Sequence, residues 1–139
     1  MNKNTQELLR SLKHTKNIEA WLTENAEIFE NVPLWRYLER LIAEKGIKKS
    51  QCIQNALLQR NYGYQIFSGE RTPSRDKVIA LCLAMGLTPE EAHSLLCHTG
   101  FSDIYPKNRR DSVLIFALER KLTVLETNEL LYELGEELL

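Results

Sequence analysis

An all-α fold follows from three features of the sequence. Apolar residues recur at three- and four-residue spacing through most of the chain, as in Leu34, Leu38, Leu41 and Ile42, and this spacing puts them on one helical face. No segment sustains the two-residue alternation of a half-buried strand. The helix punctuation is legible as well. Gly46 closes the 34–45 run where a helix C-terminus wants left-handed backbone. Thr88-Pro89-Glu90-Glu91 joins a cap hydroxyl, a proline at the first helical position and a glutamate three residues after the cap. Thr123-Val124-Leu125-Glu126 repeats the capping-box spacing ahead of Leu130, Leu131 and Leu134.

Nine helices are predicted, at about 5–13, 17–29, 34–45, 49–57, 59–68, 75–85, 89–98, 108–121 and 124–135. His14 to Asn17 break the first pair, and Asn31-Val32-Pro33 separates that pair from the third helix. The remaining long breaks, Gly69 to Ser74 and Thr99 to Lys107, each contain a proline. The expected organisation is an N-terminal helical extension (1–31), a central domain (32–98) and a C-terminal helical hairpin (99–139).

A chain of 139 residues, 43% of them hydrophobic, can fill a core without disulfides. Its first turn carries Asn2, Asn4, Thr5, Gln6 and Glu7 rather than a signal peptide, and no run of about 18 apolar residues occurs. A cytoplasmic protein with no membrane association is expected. Cys52, Cys82 and Cys97 lie far apart among apolar helical residues, as free and mostly buried thiols would. His93 and Cys97 stand four apart on one predicted helix, but two ligands do not close a tetrahedral zinc site. No metal or cofactor is therefore predicted. Trp21 and Trp35 read as core anchors. Neither a paired-carboxylate constellation nor a phosphate-cradling glycine loop is present, so no enzymatic activity is expected.

Residues 75–100 match residues 110–135 at a constant offset of 35, with ten identities in twenty-six positions, including Arg75/Arg110, Asp76/Asp111, Thr88/Thr123 and Gly100/Gly135. A duplicated hairpin explains this. So does convergence of two hairpins on the same cap, leucine and glycine positions. Either origin puts two similar helical hairpins side by side.

The most informative stretch lies between Lys48 and Ser68. Two short helices there are separated by little more than Leu57-Leu58, too short a link for anything but a steep crossing that presents the second as a ridge. That second helix opens with Gln59, Arg60 and Asn61 and continues through Tyr64 and Gln65. Arginine can pair bidentately with guanine, and asparagine or glutamine with adenine. The stretch Lys48-Lys49-Ser50-Gln51-Cys52-Ile53, then Ile66-Phe67-Ser68-Gly69-Glu70-Arg71-Thr72-Pro73-Ser74, then Val78 to Leu87, resembles the lambda-repressor-like (Cro, XRE-type) helix-turn-helix family. The resemblance spans about residues 34–98. It implies a five-helix domain in which the 49–57 helix crosses the DNA backbone and the 59–68 helix enters the major groove. Three positions depart from the family pattern: Ile53 where a small alanine is usual, Leu57 in place of a turn glycine, and Gly63 in place of a β-branched residue. Leu57 is expected to avoid left-handed backbone through a different turn, and Ile53 to fill the gap at Gly63.

Charge gives a separate indication. The chain totals −1, yet from Lys45 to Lys77 seven basic residues face two acidic ones, a net +5. From Arg110 to Leu139 three basic residues face seven acidic ones, a net −4. A basic stripe opposed by an acidic hairpin suits phosphate binding at one surface. The base-contact candidates are Gln59, Arg60, Asn61, Tyr64 and Gln65, with Tyr62 either stacking on the backbone or packing inward. The phosphate-contact candidates are Lys48, Lys49, Ser50 and Gln51 at the start of the preceding helix, and Arg71, Arg75 and Lys77 after the second helix. The expected function is a sequence-specific transcriptional regulator, binding double-stranded DNA as a homodimer because one helix needs two half-sites. The C-terminal hairpin is the candidate surface for self-association or a protein partner. The alternative is a protein-interaction adaptor that keeps the scaffold without binding DNA.

Overall fold

The computed structural model describes residues 5–26 and 31–139. The described residues form nine helices and no strands: α1 (Thr5–His14), α2 (Ile18–Glu24), α3 (Leu34–Lys45), α4 (Lys49–Asn55), α5 (Arg60–Ser68), α6 (Arg75–Ala84), α7 (Pro89–His98), α8 (Arg109–Glu119) and α9 (Val124–Glu133). Among the described residues, no helix is long and apolar enough to cross a membrane. The chain divides into two compact units, Met1–Asn31 and Val32–Leu139.

In the first unit, the Asn17 side chain caps α2 by accepting from the Ala20 amide at 3.2 Å. Trp21 is buried, and its indole N–H donates to Ser11 Oγ at 3.0 Å, tying α2 to α1. The α2 helix is shorter than its predicted span of 17–29. Asn25 ends it with non-helical backbone while its side-chain amide donates to the Trp21 carbonyl at 2.9 Å. Residues 27–30 lie outside the described residues.

The second unit is organised around α6. Six consecutive residues, Val78 to Leu83, are buried, as befits a helix apolar on every side. It packs against α4, α7, α8 and α9, while α5 packs against both α3 and α4. Leu38, Ile66, Ile79, Leu81, Leu87, Leu95, Leu96, Leu114, Leu118 and Leu131 are fully buried, each stabilising the fold by roughly 1.5–3 kcal/mol. Cys52 and Cys82 lie in this core, where burial pushes their thiols up to about 11 and about 12. Cys97 is exposed, contrary to the expectation of a buried thiol, because it falls on the outer face of α7. Trp35 departs likewise from its expected role as a core anchor: it is 38% exposed and lies along the edge of Gly69.

The two hairpins matched in sequence are matched in conformation. Thr88 and Thr123 both close reciprocal capping boxes, with Glu91 and Glu126. The hydrogen bond from the Thr88 amide, reinforced by Lys45, holds the Glu91 carboxyl below its usual value. The linking turns pass through left-handed backbone at Gly86 and Lys121, and the ends do so at Gly100 and Gly135. Two ion pairs cross between the hairpins. Arg75 meets both oxygens of Asp111 at 3.2 and 2.9 Å, and Arg110 meets both oxygens of Asp76 at 2.9 and 3.0 Å.

Gly63 and Ile53 form a complementary pair where α5 crosses α4. A Cβ placed on Gly63 would lie 2.8 Å from Ile53 Cγ1 and closer still to Cγ2. Gly63→Ala should destabilise the protein by about 1–2 kcal/mol, overpacking outweighing the gain in helix propensity. In the Ile53→Ala/Gly63→Ala double variant the new methyl occupies vacated space, so urea unfolding should show a loss smaller than the sum of the single losses. Additive losses would contradict the pairing. Separately, Arg75→Ala should cost about 2–4 kcal/mol by leaving Asp111 charged and mostly buried, whereas Lys77→Ala should change stability by less than about 0.5 kcal/mol. Equal effects in thermal unfolding would argue against an internal role for Arg75.

Candidate nucleic-acid interface

The link between α4 and α5 decides how α5 is presented. Ala56 ends α4, and the Leu57 and Leu58 amides then donate back to the carbonyls of Gln54 and Ile53 at 3.0 and 3.2 Å. This closure puts Leu57 in left-handed backbone, φ 59°. The expectation that Leu57 avoids this conformation is thus overturned. Its side chain, 57% exposed, projects away from the core and meets no packing conflict there. The backbone cost, about 1–2 kcal/mol for a residue with a Cβ, is the remaining penalty.

Gln59 then caps α5, its side-chain oxygen accepting from the Tyr62 amide at 2.8 Å. That bond uses the oxygen and leaves the amide NH2 as a donor. Along α5 the buried residues are Gly63, Ile66 and Phe67. Arg60, Asn61 and Tyr64 are exposed and Gln65 is half-buried, so these four form the opposite, polar stripe. The Arg60 guanidinium lies 5.9 Å from the centre of the Tyr64 ring. Gln65 accepts from Arg71 Nε at 3.1 Å, and its carbonyl accepts from the Arg71 amide at 3.2 Å, which folds the loop after α5 back along that helix. Tyr62 packs inward against the core rather than along a surface.

The expected phosphate contacts divide into two groups. Lys48, Ser50, Gln51 and Arg71 are exposed and Lys77 is half-buried. None of Lys48, Arg60, Arg71 and Lys77 forms an ion pair with a described carboxylate. The Gln51 amide donates to Asn55 at 2.9 Å, within α4. Lys49 reaches Glu39 at 2.5 Å and lies 5.4 Å from the Phe67 ring centre, so its charge is partly neutralised. Arg75 is committed to the interior, which corrects its expected role as a phosphate contact. Besides Asp111, it donates to the carbonyls of Ser102 at 2.9 Å and Asp103 at 2.8 Å. Lys45 is likewise paired, with Glu91 at 2.9 Å. The basic segment therefore offers less free charge than its formal +5 implies. It retains Lys48, Arg60, Arg71 and Lys77 as cations with no described carboxylate partner.

A shallow groove runs beside this stripe, lined by Ser50, Ile53, Gln54, Leu58, Arg60 and Tyr64. Chemically, the surface offers amide, guanidinium and phenol donors on one rigid helix, with cations around it. The tie between Gln65 and Arg71 is not legible in the sequence, since nothing local links positions six apart across a helix end. Comparisons with protein-family models, with curated proteins and with solved structures found no match to this chain.

Leu57→Gly should raise stability by about 0.5–1 kcal/mol, the relief of left-handed strain exceeding the added freedom of the unfolded chain. The urea midpoint of the variant measures this, and a lowered midpoint would show that the Leu57 side chain contributes more than its backbone costs.

Proposed function

We propose that the protein is a sequence-specific transcriptional regulator that binds double-stranded DNA through α4 and α5. In this reading α3 to α7 act as a lambda-repressor-like five-helix domain, with α4 across the DNA backbone and α5 in the major groove. The observation that carries it is the polar stripe of α5: Arg60, Asn61 and Tyr64 exposed together on the face opposite Gly63, Ile66 and Phe67. Gln59 and Gln65 flank it and complete the base-reading set. Lys48, Arg71 and Lys77 supply the surrounding positive charge, joined by Ser50 and Gln51 as neutral phosphate donors. A homodimer on a two-fold site follows from the short reach of a single helix. The α8–α9 hairpin, with Phe116, Leu125 and Tyr132 exposed, is the surface assigned to self-association or a protein partner.

The exposed Leu57 side chain favours a second reading, in which the same turn docks a protein and the molecule is an adaptor that does not bind DNA. Selection of bound sequences from random duplex DNA by the purified protein separates the two. The regulator reading expects an enriched site whose affinity falls steeply with salt. Arg60→Ala should then cost about 1–3 kcal/mol and relax the preference at one base position. Lys48→Ala and Lys77→Ala should weaken all sequences alike and each lower the salt slope by about 1. Absence of DNA binding at low salt would replace the regulator with the adaptor.

A further inference from the structure

We propose that His93, Cys97 and Asp103 bind a divalent transition-metal ion, with zinc as the ion their chemistry fits best. His93 and Cys97 stand one turn apart on α7, with Nδ1 and Sγ 3.7 Å from each other. The chain then leaves α7 and brings Asp103 back, setting Oδ2 2.6 Å from the same His93 nitrogen. The three ligand atoms lie within 4.8 Å of one another.

Zinc chemistry sets the spacing that such a site needs. With zinc bonds of about 2.0–2.1 Å to nitrogen and oxygen and about 2.3 Å to sulfur, tetrahedral ligand atoms sit roughly 3.3–3.6 Å apart. The sulfur and nitrogen are already near that separation. The His93–Asp103 contact is a hydrogen bond that needs to open by less than about 1 Å to admit an ion. Thiolate and imidazole select zinc-type ions over magnesium or calcium, and the carboxylate adds a second negative charge. All three side chains are exposed, so an ion has an entry path and water can take the fourth position.

The placement of Asp103 is held from outside the cluster. Arg75 donates to its carbonyl at 2.8 Å and to the neighbouring Ser102 carbonyl at 2.9 Å. Its own Oδ1 accepts from the Ile104 amide at 2.7 Å, and Ile104 is buried. One carboxylate oxygen is thereby occupied by the backbone while the other faces His93. Supporting bonds of this kind orient metal ligands and raise affinity. Occupancy would clamp the loop before α8 to α7, near the Arg75 contacts that already hold Ser102 and Asp103. Metal binding here is independent of any binding of DNA.

The test is a cobalt(II) titration of the full chain, purified metal-free and reduced, followed by zinc competition and thermal unfolding. Expected are one equivalent of bound cobalt, visible-region absorption of tetrahedral strength and a thiolate-to-metal charge-transfer band, all displaced by zinc. Saturating zinc should raise the Tm. Cys97→Ser should abolish the charge-transfer band, and His93→Gln and Asp103→Asn should each weaken binding by at least about tenfold. His98→Gln should leave binding unchanged, and circular dichroism of each variant checks that its fold is intact. The proposal is overturned by failure to bind one equivalent, by a charge-transfer band that survives Cys97→Ser, or by affinity indifferent to His93→Gln or Asp103→Asn.

Discussion

The crossed pairs Arg75–Asp111 and Arg110–Asp76 are the constraint on which the second unit most depends. Each is a bidentate, charge-assisted contact between the first turn of one hairpin and the first turn of the other. Each arginine also holds chain that has no regular structure of its own. Arg75 fixes the carbonyls of Ser102 and Asp103 in the α7–α8 loop, and Arg110 fixes those of Glu137 and Leu138 at the C-terminal end. Such half-buried pairs contribute modest net stability when intact, because desolvation offsets much of the attraction. Their weight lies in geometry: losing one partner strands a charge and frees a loop at once.

The α6 helix lies between these pairs and the proposed DNA surface, in contact with α4. The helix is buried along its middle and packs against α4 as well as against α7, α8 and α9. The α5 helix rests on α3 and α4, and its close approach to α4 is possible because Gly63 lacks the Cβ that Ile53 would strike. A polar stripe mounted this way keeps its side chains in register, as a reading surface must. The turn before it carries a strained leucine and an exposed apolar side chain. Both features of Leu57 bear on α5, one through its angle and the other through what can dock beside it.

Much of the fold was legible because its signals are local. Capping boxes at Thr88 and Thr123, the glycine at position 46 and the spacing of leucines act within one or two turns, and the helices begin and end where those signals lie. The compensating exchange of Ile53 and Gly63 could also be read, since size is visible in residue identity. The fate of Leu57 could not, because the closing hydrogen bonds of α4 and the open space around its side chain outweigh a backbone preference of only about 1–2 kcal/mol. Trp35 looked like core for its size, but a glycine edge rather than a buried cavity receives it.

Sequence alone determined that the chain is helical, where its helices begin, that two of its hairpins are alike, and that one helix carries polar residues of the types suited to reading bases. These properties follow from interactions within a few residues. Tertiary structure alone decided which charges are free. Arg75 and Lys77 are two positions apart and both cationic, yet one is bound to Asp111 and the other has no described carboxylate partner. It likewise decided that Asp103 joins His93 and Cys97, ten and six residues back along the chain. Electrostatic and ligand geometry depends on distance through space, and a linear order of residues carries that information only where the chain is locally regular.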